Sequence, residues 1–245
     1  MLQDVETTVN ALIKWTQDYF DKNGKGCKAV LGISGGKDST VTAALLAKAL
    51  GKERVIGVLM PNGIQADIDD SRQVISVTGI ESKVINIEDT VNALIKNLSD
   101  GGSTITEDVR INIPPRVRMA TLYAVAQGLP TGGRVINTCN RSEDYIGYST
   151  KFGDSAGDVS LLAGFVVEEV RQIGDYLGLP SNLVHKKPSD GLCGLTDEDK
   201  IGFTYETLDK YILTGLCEDE ITKSKIDRMH NLNLHKLELM PHFEL

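Results

Sequence analysis

Short apolar runs alternate with helix-length amphipathic stretches from residue 29 to residue 98, and no other feature restricts the architecture of this 245-residue chain as strongly. Residues 29–33, 55–59 and 82–87 have the length and apolar content of strands, and residues 40–50, 67–78 and 88–98 have helical spacing. Gly51 closes the first of these helices, and the acidic first turn of the second suits the positive end of a helix dipole. Strand–helix–strand units of this size need right-handed crossovers, which produce an α/β fold: a doubly wound, mostly parallel sheet with helices on both faces. A leading helix over 4–22 puts Val5, Val9, Leu12, Ile13, Thr16, Tyr19 and Phe20 on one face.

Further along, a helix over 113–127 feeds a fourth strand at 134–137, and 166–177, 204–216 and 218–231 read as helices. The polar stretch 99–107, with Gly101-Gly102, is expected to be a mobile loop, and 147–160 is too irregular for a regular element. Residues 180–202 hold two prolines and three glycines, a loop long enough to be functional. No repeat or linker divides residues 1–245, so one domain is expected.

The first strand runs into Gly32-Ile33-Ser34-Gly35-Gly36-Lys37-Asp38-Ser39 and then into a helix. Backbone N–H groups at a helix start attract anions, and glycines let phosphate oxygens approach closely. The spacing is not that of a Walker A loop, since Leu31 stands where its first glycine belongs and Asp38 where a hydroxyl residue must follow the lysine. Transfer of a γ-phosphoryl group is therefore disfavoured. The alternative is a glycine turn with Ser39 as a helix cap. Ser-Gly-Gly-Lys-Asp-Ser resembles the loop of the ATP pyrophosphatases, which split ATP between its α- and β-phosphates. Ser34 and Ser39 can donate to the departing pyrophosphate, Lys37 adds positive charge, and Asp38 can hold a magnesium ion.

A formal charge of −8 argues against a broad nucleic-acid footprint, which needs a basic face. No basic leader followed by an apolar run opens the chain, and no stretch reaches the ~18 apolar residues of a membrane span. Cys27, Cys139, Cys193 and Cys217 form neither a CxxC pair nor a zinc spacing, and are expected to be reduced. A cytoplasmic protein without nucleic-acid or membrane partners is the expectation.

Four more motifs follow in order: Asn112-Ile113-Pro114-Pro115-Arg116-Val117-Arg118-Met119; Asn137-Thr138-Cys139-Asn140-Arg141-Ser142-Glu143; Lys151-Phe152-Gly153-Asp154-Ser155-Ala156-Gly157-Asp158; and Lys187-Pro188-Ser189-Asp190-Gly191-Leu192, trailed by Thr196-Asp197-Glu198-Asp199. With the phosphate loop they resemble the ammonia-dependent NAD synthetases, of the adenine nucleotide alpha hydrolase-like superfamily, from Leu31 to about Lys236. The resemblance implies ATP on Gly32, Ile33, Ser34, Gly35, Gly36, Lys37, Asp38, Ser39, Thr138 and Ser189, with Gln65 a further candidate. It implies magnesium on Asp38 and Glu143, deamido-NAD on Arg116, Lys151, Asp158, His235 and Lys236, and a catalytic Asp154. The implied reaction adenylates the nicotinate carboxylate of deamido-NAD with ATP, then replaces AMP by ammonia, releasing pyrophosphate and NAD in the final step of NAD biosynthesis. A homodimer with composite sites is implied as well. The chain has no room for a glutaminase domain, which makes free ammonia the expected nitrogen source and leaves a separate amidotransferase partner open.

The resemblance breaks at Val167, within Ala163-Gly164-Phe165-Val166-Val167-Glu168-Glu169-Val170, where the family carries a phosphate-directed lysine. Either Lys186, Lys187 or another cation replaces that charge, or ATP use is impaired. Two rivals follow: another ATP pyrophosphatase acting on tRNA, against which the −8 charge and absent CxxC speak, and a silent nucleotide-binding regulator, for which Val167 speaks.

Overall fold

The computed structural model of the protein describes residues 1–65, 67–186, 196–238 and 240–243. Helix α1 (Val5–Asn23) leads into β1 (Lys28–Gly32), α2 (Lys37–Leu50), β2 (Val55–Leu59), α3 (Ile68–Thr78), β3 (Glu81–Val84), α4 (Glu88–Asp100) and α5 (Glu107–Gln127). Then come β4 (Gly133–Asn137), α6 (Arg141–Ile146), β5 (Val159–Ser160), α7 (Val167–Tyr176), α8 (Ser181–Val184), α9 (Asp197–Ile201), α10 (Tyr205–Thr214) and α11 (Glu220–Asn233). The strands form one sheet in the order β3-β2-β1-β4-β5, and every pairing is parallel.

Alternation along the strands sorts the core into two layers. Ala29 and Leu31 of β1 pack with Val9 and Phe20 of α1, Val41 and Leu45 of α2, and Val170 and Ile173 of α7. Val30, pointing the other way, packs with Val91 of α4 and with Val117 and Leu122 of α5. Helices therefore cover both faces, as the alternation of segments predicts. A third cluster joins Ile146 of α6, Val167 of α7, Ile201 of α9, Tyr205 and Leu208 of α10 and Ile226 of α11. It backs the region entered by the chain as it leaves β4.

Several boundaries differ from expectation for physical reasons. The helix expected at 113–127 begins six residues earlier, at Glu107, where the Thr106 side chain caps it by accepting from Val109 N. Pro114 and Pro115 lie inside it; the turn they leave unbonded carries exposed Arg110 and Ile111, where water can reach the carbonyls. The helix expected at 40–50 starts at Lys37, so Lys37, Asp38 and Ser39 are its first turn, and Gly36 rather than Ser39 is the cap. Residues expected as one irregular stretch over 147–160 end in the two-residue strand β5, and the loop over 180–202 contains α8 and α9. Of the polar stretch 99–107, only residues 101–106 lie between helices.

Candidate active site

The connection from β1 runs toward β2 and β3, whereas β4 lies on the other side of β1 and pairs onward with β5. Loops leaving β1 and β4 diverge at that reversal and open a crevice at the carboxyl ends of the strands, where open α/β sheets bind ligands. The glycine loop leaves β1 there, and Thr138 to Glu143 leave β4.

The glycine loop is folded by its own hydroxyls. Ser39 Oγ lies 3.1 Å from Ser34 Oγ and accepts from Ser34 N at 3.3 Å, and Ser34 Oγ accepts from Gly36 N. Gly35 has φ +81, and a Cβ there would lie 2.8 Å from Asp70 Cβ and from Ser71 N of α3. Glycine is therefore required twice, by backbone conformation and by the approach of α3. Gly36 caps α2 without a side-chain hydrogen bond, leaving first-turn N–H groups available to an anion.

Lys37 is buried and pairs with Asp38 at 2.8 Å, and it stands over the Tyr205 ring at 5.7 Å. Burial alone would favour the neutral amine, but Asp38 and Glu143 outweigh it and hold the Lys37 pKa above its ordinary value. Asp38 also accepts from Asn140 Nδ2 at 3.0 Å. Asn140 caps α6 by accepting from Ser142 N and Glu143 N, and Glu143 completes the capping box at Asn140 N. One asparagine thus ties the two acids assigned to magnesium, one from each side of the crevice. Burial, reinforced by repulsion from Asp38, pushes Glu143 up to about 8. Two half-buried carboxylates facing one site favour a cation between them. Thr138 sits half-buried at the end of β4.

A second group of assigned residues gathers beside the turn at 147–154. Arg116 Nε donates to the Lys151 carbonyl at 3.2 Å, and Lys151 Nζ donates to the His235 carbonyl. Lys236 Nζ donates to the carbonyls of Gly147 and Ser149 at 2.6 and 2.8 Å. Asp154 accepts from Thr150 N at 2.8 Å; the protein packed around its carboxyl raises its pKa against that bond. Asp144, with burial and Asp154 both acting on it, is pushed up to about 6. Arg116, Lys151, Asp154, His235 and Lys236 are therefore brought together. Asp158 stands apart: it accepts from Val135 N at 2.8 Å and Tyr123 Oη at 3.2 Å, bracing the edge of β4.

The motifs conceal other participants. Arg118 donates to the Met60 carbonyl at the end of β2 and feels Asp154, while burial lowers its pKa; its place in the Arg116 motif was the available signal. Asp209, buried on α10, accepts from Ser142 Oγ at 2.5 Å and Glu168 N at 2.9 Å, and no motif marks it. Val167 is fully buried in the third cluster. Arg171, one turn further along α7, lies near enough to Lys37 to oppose its charge. Lys186 is engaged by Asp67 at 2.8 Å and Asp70 at 2.5 Å, and Gln65 donates to Asp67. Ser189, Lys187 and Cys193 lie outside the described residues.

Comparison with known proteins identifies the family. The family model described as NAD synthase matches residues 8–243. The NH(3)-dependent NAD(+) synthetase of Thermococcus sibiricus is 41% identical over 237 residues, covering 96% of this chain and 90% of that protein. Among solved structures, an NMN synthetase from Francisella tularensis superposes with a TM-score of 0.89 at 32% identity, covering 99% of both chains. An NAD+ synthetase from Burkholderia pseudomallei superposes with a TM-score of 0.79 at 30% identity, covering 96% of this chain and 91% of that one.

Proposed function

The chain belongs to the NAD synthase family, and on that premise we propose the site residues, metal and reaction course by which it acts. It is a ligase forming a carbon–nitrogen bond in NAD biosynthesis, with ATP as co-substrate. The observation that carries the rest is the pairing across the crevice: a phosphate loop with an open helix start on β1, and Glu143 tied to Asp38 through Asn140 on β4.

The pyrophosphate of ATP lies on the loop 32–39, with Thr138 and Ser189 on the rest of the nucleotide. The carboxylate of deamido-NAD attacks the α-phosphorus; the bond to the β-phosphate oxygen breaks, and the loop N–H groups and Lys37 receive the charge that develops there. Ammonia then attacks the activated carbonyl, and AMP leaves with its electron pair. Asp154, its pKa raised by its surroundings, takes the proton that ammonium gives up. Arg116, Lys151, His235 and Lys236 hold the phosphates and ribose of deamido-NAD, and Asp158 supports that site by fixing the edge of β4.

Asp38 and Glu143 are the proposed magnesium ligands. Two half-buried acids joined through Asn140, with Glu143 pushed up first by its surroundings and then by Asp38, and a buried Tyr205 hydroxyl that has no partner among the described residues fit a hard cation completed by water and phosphate oxygens. The ion, when bound, neutralises charge on the leaving pyrophosphate. Residues 1–245 acting as one domain, a homodimer in the cytoplasm, and no membrane or nucleic-acid partner belong to the same reading. Phe152 and Leu237, exposed beside Lys151 and His235, are apolar surface suited to a second copy.

A second reading has a specific observation behind it: the Francisella tularensis NMN synthetase superposes with a higher TM-score than the Burkholderia pseudomallei enzyme. The same site would then amidate a pyridine mononucleotide. An ammonium-dependent assay with magnesium ATP, following AMP and amidated product together, decides between them by kcat/KM on deamido-NAD against the carboxylate mononucleotide. Matched AMP and NAD support the first reading, and a preference for the mononucleotide replaces it. Asp38→Ala retaining normal turnover would remove Asp38 from the mechanism.

A further inference from the structure

Tyr205 opens α10 behind the crevice and is among the most deeply buried large side chains, 1% exposed. Its ring has two clear duties: it packs in the third cluster, and it lies beneath the Lys37 ammonium. Among the described residues its hydroxyl has no hydrogen-bond partner. A phenol buried in this way forfeits its bonds to water without replacement, and phenylalanine would fill the same space without that loss. The ring lies under Lys37, which pairs with Asp38 at 2.8 Å, and Asn140 joins Asp38 to Glu143, so the unused donor belongs to the same cluster as the two carboxylates proposed for the cation; burial first, and then the charges of Glu143, Asp197 and Asp38, raise the phenol's pKa. Asp197 is already engaged, accepting from Tyr148 Oη at 3.3 Å, and Asp38 accepts from Lys37 and Asn140. Glu143 Oε2 accepts a long bond of 3.4 Å from Asn140 N, and no other bond to its carboxylate is formed among the described residues.

We propose that Tyr205 is a positioning residue of the cation site, whose buried hydroxyl donates to Glu143 once a divalent ion is bound, fixing the carboxylate toward the ion. A carboxylate on a metal is ordinarily oriented by a hydrogen bond from behind, and the loss of such a partner typically weakens metal binding 10–100-fold. The two faces of the residue then act on opposite partners of one site: the ring steadies the cation Lys37 and the hydroxyl steadies the acid Glu143.

The inference rests on the metal reading of Asp38 and Glu143, and the test separates the two. Mn²⁺ is titrated into the full chain in the presence of α,β-methylene-ATP, with free Mn²⁺ read by electron paramagnetic resonance, for wild type, Glu143→Gln and Tyr205→Phe. Thermal unfolding of the same samples without metal is recorded alongside. The expected result is that Glu143→Gln loses binding, while Tyr205→Phe binds Mn²⁺ about tenfold more weakly and unfolds no earlier than wild type. In turnover, Tyr205→Phe should need correspondingly more magnesium for half-saturation and keep most of its kcat at saturating metal. Affinity within twofold of wild type in Tyr205→Phe, with Glu143→Gln defective, overturns the role of Tyr205 alone. A lowered unfolding temperature with unchanged Mn²⁺ affinity makes the hydroxyl structural and overturns it too. Normal binding by Glu143→Gln overturns the metal reading itself.

Discussion

Replacing Asp209 by alanine should damage the protein out of proportion to the distance of this residue from the phosphate loop. Helix α7 begins at Val167 behind Val166, a residue with no side-chain oxygen to cap it. The missing acceptor comes from another element: Asp209 of α10 takes the Glu168 N–H at 2.9 Å, and with its other oxygen the Ser142 hydroxyl at 2.5 Å, while Ser142 Oγ in turn accepts from Val167 N at 3.1 Å. Asp209 is 5% exposed, Ser142 fully buried, so water cannot step in. Each buried group left without its partner costs about 1–3 kcal/mol, and a lost cap about 1 kcal/mol. Asp209→Ala should therefore lose about 3–4 kcal/mol, a large share of the 5–15 kcal/mol typical of a folded domain. Asp209→Asn keeps one acceptor and should lose roughly half as much. Urea unfolding at pH 7.5, with Ser142→Ala and the double variant, measures this directly. The two substitutions share one network, so their effects should fall short of adding. A loss below about 1 kcal/mol in Asp209→Ala, or simple additivity with Ser142→Ala, would refute the trans-capping argument.

Gly35→Ala combines a positive φ with a Cβ 2.8 Å from the α3 backbone at Ser71 N; it should destabilise the chain by about 2–4 kcal/mol and raise the KM for ATP, checked by urea unfolding and initial rates. Without metal, stability should fall as pH rises from about 5 to 8. Glu143 is held at about 8 when folded, against about 4.3 in the unfolded chain; between these values only the native state keeps the proton, so each pH unit removes up to roughly 1.4 kcal/mol. Asp144, pushed up to about 6, acts in the same direction over the lower part of that window. Glu143→Gln should flatten the pH dependence of the unfolding midpoint, and an unchanged slope would show that Glu143 does not titrate in this range.

The βα alternation and the glycine loop were legible because both are local. A strand followed by a glycine turn and a helix dictates backbone N–H groups pointing at an anion, whatever the rest of the chain does. The motifs named Arg116, Lys151, Asp154, His235 and Lys236 separately, and only the folded chain brings segments 35 and 84 residues apart into contact.

Tertiary structure alone decided what those residues do to one another. The bond from Asn140 to Asp38 spans 102 positions, and the one from Ser142 to Asp209 spans 67; no spacing rule reaches that far. Asp158, which the motif assigns to the dinucleotide, also braces β4 by accepting from Val135 N, 23 positions away. Val167 reads in sequence as a lost charge and in the fold as a buried member of an apolar cluster. A helix is expected from Ile113, but the cap at Thr106 and the exposure of the preceding turn let α5 start at Glu107 and run through Pro114 and Pro115. Local sequence carries conformational preference and chemistry; burial and the partner of each polar group are properties of packing, and they exist only once the layers meet.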